Sequence, residues 1–219
     1  MSRALNDHAG GTLFGVALNY QGLLNSHLQS FNQPPYQKPP TQPVLFIKTP
    51  NTRNQHGAPV VFPQGVERLQ PGPALGVVIG KRASRVSVEQ ALEHVAGYTI
   101  VNEFSLPEDS YYRPAVKAKC RDGFCPIGPQ LVPAAEVADP HALEIELRVN
   151  GERVQHNSTA NLVRSIPQLI AEISQFMTLD VGDVLITGTP EGRVDVHPGD
   201  QVEVRIRGLG CLANSIVTE

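Results

Sequence analysis

No Cys-x-x-Cys pair and no even set of cysteines occurs in this chain of 219 residues. Cys120, Cys125 and Cys211 are all there are, which excludes a disulfide framework and a paired-cysteine zinc site. No His stands near them in the chain to act as a base, so they read as free, packing thiols. No apolar run approaches the roughly 20 residues that span a bilayer. The N-terminus, with Asn6, Asp7 and His8, lacks the basic and apolar regions of a signal peptide, so no membrane partner is expected and the cytoplasm is the expected location. No basic run occurs either: 18 Lys plus Arg stand against 21 Asp plus Glu, a formal charge of -3, and a nucleic-acid partner is excluded on that ground. GxGxxG, Walker A and HExxH patterns are absent, which removes dinucleotide, P-loop and zincin chemistry.

What is present is a core-forming chain, 41% apolar, of a length suited to one domain with a short N-terminal extension over residues 1–11. Apolar runs predict strands at Leu13 to Leu18, Val44 to Lys48, Leu75 to Ile79, Tyr98 to Val101 and Val184 to Ile186. Alternation of Leu143, Ile145, Leu147 and Val149 with charged residues, followed by Asn150-Gly151, predicts a β-hairpin returning through Glu152 to Gln155. Val202, Val204 and Ile206 alternate again. Five prolines (Pro34, Pro35, Pro39, Pro40 and Pro43) predict a loop or lid over about residues 20–43 rather than a helix.

Two helices are expected. One opens at Ser87 with Gln90 in the capping-box place, buries Val88, Ala91, Leu92 and Val95, and stops at Gly97. The other is capped by Ser165 and Gln168, admits Pro167 in its first turn, and buries Leu169, Ile170, Ile173, Phe176 and Met177. Many strands with isolated helices and no βαβ repetition give an α+β, mostly β fold class.

Chemistry concentrates in Thr187-Gly188-Thr189-Pro190-Glu191-Gly192. Its hydroxyls and unhindered backbone suit a small carboxylate, although Gly and Pro equally make a plain surface turn. That turn does not stand alone. Gly97-Tyr98-Thr99-Ile100-Val101-Asn102, then Tyr111-Tyr112-Arg113-Pro114 ahead of Lys119-Cys120-Arg121-Asp122-Gly123-Phe124-Cys125-Pro126, and Phe176-Met177-Thr178-Leu179 leading through Gly182-Asp183 to the turn, together resemble the fumarylacetoacetate hydrolase superfamily over residues 12–219. Within it they are most similar to the N-terminal half or subunit of the isomerase/decarboxylase branch of 4-hydroxyphenylacetate (homoprotocatechuate) degradation.

The resemblance implies a mixed β roll with a few short helices. It also implies a Mg2+ or Mn2+ site for 2-oxo or enol dicarboxylates, and a homodimer or a heterodimer with a paralogous C-terminal-type subunit. The activities implied are decarboxylation of 5-oxopent-3-ene-1,2,5-tricarboxylate and isomerisation of 2-hydroxyhepta-2,4-diene-1,7-dioate. A cation beside the carboxylate and oxo oxygens accepts the charge of the dienolate through which both steps pass.

Carried over residue by residue, the family's three acidic ligands fall on Gly72, Ala74 and Glu103, so only Glu103 is retained as a metal ligand. Asp109 and Asp122 are nearby acids that spacing does not compel into the site. Glu103 has a plainer reading as a strand-end acid paired with Lys119 or Lys48. Lys119 matches a substrate-binding and catalytic lysine, Thr189 and Gly188 match the turn that grips the carboxylate, and Lys48 matches a further substrate-binding lysine. Lys119 and Glu103 are the expected proton-handling pair. Hydrolytic members carry a His where this chain has Leu23, and His27 lies four residues beyond, so an acylpyruvate-type hydrolase is the weaker alternative. A non-catalytic structural or regulatory partner of a metal-bearing paralogous subunit is the other.

Overall fold

The computed structural model describes residues 3–4, 9–108 and 110–219, so Asp109 and much of the expected N-terminal extension lie outside the described residues. In chain order the first half comprises β1 (Arg3–Ala4), β2 (Leu13–Ala17), α1 (Gln21–Phe31), β3 (Val44–Lys48), β4 (Arg53–Asn54), β5 (Val60–Phe62), β6 (Pro73–Ile79) and β7 (Val95–Asn102). The second half comprises α2 (Val116–Lys119), β8 (Cys125–Pro133), β9 (Glu144–Val149), β10 (Glu152–Ser158), α3 (Ile166–Ser174), β11 (Val184–Ile186), β12 (Gln201–Ile206) and β13 (Gly210–Thr218).

One sheet runs β1-β8-β7-β6-β11-β2-β3, with β4 beside β8, and the other runs β10-β9-β12-β13-β5. Pairing is antiparallel except for β11 with β2, β13 with β5 and β4 with β8. Their facing sides share one core. Leu75, Val77 and Ile100 of the first sheet meet Ile145, Leu147, Val204 and Leu212 of the second, with Ile166, Leu169, Ile170 and Ile173 of α3 closing it. The far side of the first sheet carries a separate apolar cluster of Leu13, Ala74, Val78, Val101, Ile127, Leu131 and Ile186. Burial on both faces explains why β6 is apolar without alternation, whereas β12, solvated on one side, alternates.

The expected strands and the hairpin at Asn150-Gly151 form, with Asn150 and Gly151 both at positive φ as a tight hairpin turn requires. Helix α3 has the full capping box between Ser165 and Gln168. Three expectations fail. Residues 21–31 form helix α1, because every proline of that region lies beyond Phe31 and Leu23, His27 and Phe31 follow at i, i+4 and i+8. The Ser87 helix is absent: only a 3-10 turn at Ala91–His94 forms, Val88 and Leu92 are exposed, and Val95 already pairs with Ile79 in the sheet. So short an amphipathic run cannot outweigh the strand pairing that begins at Val95. Gly97 is thus a strand residue, and the Val132 carbonyl sits where its side chain would be. Finally, α3 ends at Ser174, which leaves Phe176 exposed rather than on the helix's apolar face.

Candidate active site

The ends of four segments converge at one end of the first sheet. Strand β7 delivers Glu103 just past its last residue, 1% exposed. The Glu103 N–H donates to the Gly72 carbonyl (2.7 Å), and the Gly72 N–H donates to Asn102 Oδ1 (2.9 Å), so the chain before β6 is held against the end of β7. Strand β3 ends in Lys48, α2 ends in Lys119, and the turn after β11 supplies Thr189 and Arg193.

Glu103 is the hub. Lys119 Nζ lies 3.0 and 3.1 Å from its two carboxylate oxygens, Lys48 Nζ 3.1 Å from Oε1, and Arg193 Nη2 2.6 Å from Oε2. Lys119 also pairs with Glu108 Oε2 at 2.9 Å and sits 4.6 Å above the Phe46 ring centroid. Burial pushes the Glu103 carboxyl up, but Lys119, Lys48 and Arg193 outweigh it and hold the pKa at about 2. A carboxylate so firmly ionised is a poor proton acceptor and a strong organiser of cations.

Among the described residues three cations thus face two carboxylates, an excess of positive charge that suits an anion.

Placement sorts the expected residues. Glu103, Lys119 and Thr189 line a common cavity of about 30 Å3 together with Phe46, Glu108 and Arg193. Lys48 lies beneath it, 2% exposed, with its ammonium donating to the carbonyls of Phe104 (2.7 Å), Lys119 (2.7 Å) and Phe124 (3.1 Å) as well as pairing with Glu103. Burial pushes the Lys48 ammonium pKa down, against the pull of Glu103. Gly188 adopts φ 115, and an added Cβ would come 2.9 Å from the Val16 carbonyl oxygen. It therefore lets the turn pass close to β2.

Within the turn, Thr187 spends its N–H and hydroxyl on the Leu75 carbonyl, and Asn19 Nδ2 caps the Thr187 carbonyl at 2.9 Å. The Thr189 hydroxyl, by contrast, has no hydrogen-bond partner among the described residues. Cys125, buried beside the cluster, has its thiol pushed up to about 12 chiefly by burial, which makes it an inert packing group.

Leu23 of α1 and Tyr111 close the cavity. Tyr36 Oη hydrogen-bonds Ser110 Oγ (2.8 Å) and accepts from the Tyr111 N–H (2.6 Å), while His27 stacks edge-on against Tyr111 at 5.3 Å. His27 Nδ1 faces the Leu23 carbonyl and Ser26 Oγ, both at 3.0 Å, so it is a roof residue. A larger cavity of about 240 Å3, lined by Arg113, Tyr112 and Leu45, shares Phe46, Glu108 and Tyr111 with the small one.

Arg193 and Glu108 are site residues that the sequence reading missed. The available signal for Arg193 was charge balance. A basic residue directly after Gly192, with Gly72 and Ala74 where acids are expected, pairs a lost anion with a gained cation.

This curled, mostly β fold with a buried charge cluster at the end of its central strands defines the class: the chain belongs to the fumarylacetoacetate hydrolase family. The family described as fumarylacetoacetate (FAA) hydrolase C-terminal matches residues 12–217. The 4-hydroxyphenylacetate degradation bifunctional isomerase/decarboxylase of Salmonella dublin is 46% identical over 209 residues, 95% of this chain and 48% of that protein. The chain therefore spans about half the length of these bifunctional relatives. Among solved structures, the 2-hydroxyhepta-2,4-diene-1,7-dioate isomerase from Mycobacterium marinum is similar over 97% of this chain and 76% of that one (TM-score 0.83, 30% identity). The fumarylpyruvate hydrolase from Pseudomonas aeruginosa, in complex with Mn2+ and pyruvate, is similar over 95% and 90% (TM-score 0.81, 28% identity).

The donor set here does not fit such a cation. Both Glu103 oxygens are taken by cationic side chains. Gly72 has no side chain, and Ala74 packs among Val78, Val101 and Ile186. Asp122 accepts from Asn51 Nδ2 (2.6 Å) and lines a separate cavity with Val61, Arg121 and Glu219. Among the described residues no group of three or more His, Cys, Asp or Glu side chains converges. Mg2+ at 2.0–2.1 Å needs oxygen donors that are free to turn towards it, as a general rule of about six in octahedral array.

Proposed function

We propose that this chain is the half of a 4-hydroxyphenylacetate-type isomerase/decarboxylase that binds a 2-oxo or enol dicarboxylate. The observation that carries this reading is the cavity lined by Lys119, Arg193 and Thr189, on a chain 46% identical to such an enzyme. One carboxylate of the substrate takes the Thr189 hydroxyl and the cationic groups. Lys119 faces the 2-oxo or enolate oxygen and accepts the charge that develops there. Glu103 orients Lys119 through both of its carboxylate oxygens. Glu108, which lines both cavities, is placed to carry a proton between carbons, and the larger cavity with Arg113 receives the distal carboxylate. The partner in this reading is a second copy or a paralogous subunit supplying the other half.

Turnover of 2-hydroxyhepta-2,4-diene-1,7-dioate and of 5-oxopent-3-ene-1,2,5-tricarboxylate, followed by ultraviolet absorbance with the chain alone and with a paralogous subunit, tests the proposal. Lys119→Ala should cost roughly 100-fold or more in kcat with circular dichroism unchanged. Undiminished turnover in the assembled Lys119→Ala complex would overturn it.

The small volume of the cavity, about 30 Å3, favours a second reading, a non-catalytic partner that completes the assembly. In that case the Lys119→Ala complex assembles and turns over normally. Leu23, which lines the cavity where hydrolytic relatives require a base, disfavours the acylpyruvate-type hydrolase.

A further inference from the structure

Arg193 lies in the space beside Gly72, one of the two positions where an acidic side chain is missing. A Cβ built on Gly72 would press first on the Glu103 carbonyl oxygen, and it lies 2.9 Å from both Arg193 Nη2 and Thr189 Oγ1. The approach of the Glu103 backbone keeps position 72 free of a side chain, and the guanidinium occupies the space beside it. The same Nη2 donates to Glu103 Oε2 at 2.6 Å, while Nη1 donates to the carbonyls of Gln70 (3.5 Å) and Glu103 (3.3 Å). A guanidinium has five N–H donors, and three recorded bonds leave others for a ligand. The side chain is 20% exposed and lines the cavity beside the unpartnered Thr189 hydroxyl. Its planar fork matches a carboxylate.

We propose that Arg193 is the resident cation of this site: its guanidinium, with Thr189, clamps the carboxylate of a 2-oxo acid without any divalent metal. The electrostatic logic is internally consistent. Glycine and alanine at positions 72 and 74 remove two negative charges, and among the described residues Arg193 with Lys48 and Lys119 outnumbers Glu103 and Glu108, so positive charge is left over for the ligand. A guanidinium also keeps its charge at any physiological pH and needs no loading. This assignment rests on the proposed function only in the choice of ligand class, a small 2-oxo or enol carboxylate.

Isothermal titration of the full chain with oxalate in EDTA-containing buffer tests it. Wild type should bind, Arg193→Ala should bind about 10- to 100-fold more weakly, and Arg193→Lys, which keeps the charge and loses the fork, should fall between them. Melting temperature and circular dichroism on each variant separate a folding defect from a binding one, and Arg193→Gln serves where Arg193→Ala does not fold. In parallel, electron paramagnetic resonance of Mn2+ added to the wild-type chain, with no oxalate, should retain the spectrum of the aquo ion. Absence of oxalate binding in EDTA, wild-type affinity in a folded Arg193→Ala or Arg193→Gln protein, or Mn2+ bound by the chain would each overturn the proposal. Arginine-dependent oxalate binding in a chain inert towards both dienedioate and tricarboxylate substrates would sink the proposed function alone.

Discussion

Arg193 places its Nη2 atom 2.6 Å from Glu103 Oε2, so the buried acid at the end of β7 is bonded to a side chain just beyond the turn that follows β11. This pair ties the turn after β11 to the end of β7, and with Lys48 and Lys119 it makes Glu103 the point on which four segments depend.

Glu103→Gln removes the carboxylate that Lys48 and Arg193 share and leaves buried positive charge uncompensated. Breaking one partner of a buried pair typically costs about 3–5 kcal/mol, and urea denaturation should show a loss of that size. Because the folded pKa of Glu103, about 2, lies below its ordinary value of 4.5, its contribution is complete above about pH 4.5 and is lost as pH falls towards 2. Wild-type melting temperature should therefore drop between pH 5 and pH 3, and the Glu103→Gln curve should be flatter over that window. Equal slopes would refute the hub role.

Gly188→Ala should destabilise the chain by about 1–3 kcal/mol, because an L-residue at φ 115 is strained and its Cβ would press on the Val16 carbonyl. The same change shifts Thr189, so oxalate affinity should fall along with melting temperature. A variant that melts normally and binds normally would show that the turn tolerates a side chain.

Tyr36→Phe deletes the hydroxyl that joins the loop after α1 to Ser110 and Tyr111 above the cavity. The aromatic contacts of Tyr36 with Phe31 and Tyr112 remain, so the fold should hold while the roof loosens. Amide hydrogen exchange over residues 110–115 should rise, and the oxalate association rate should increase, since a cavity of about 30 Å3 must open to admit it. Unchanged exchange there would mean that other contacts hold the roof shut.

The sequence by itself determined the strands, the hairpin and the capped helix α3, because alternation, Asn150-Gly151 and Ser165 with Gln168 act through neighbours a few residues away. It also marked Glu103, Lys119 and Thr189, through local motifs whose order along the chain matches the family. Local pattern misread residues 87–97, where pairing of Val95 with Ile79 overrides a helical spacing, and residues 21–31, where proline effects were extended too far towards the N-terminus. Pairing of Glu103 with Lys119 or Lys48 was legible in the sequence, but only the tertiary structure brought in Arg193. Arg193 and Glu103 are 90 residues apart, and no periodicity reaches that far. Their meeting follows from β11 lying between β2 and β6, which brings the turn at Thr187 over the end of β7, and from the space that Gly72 leaves for a guanidinium.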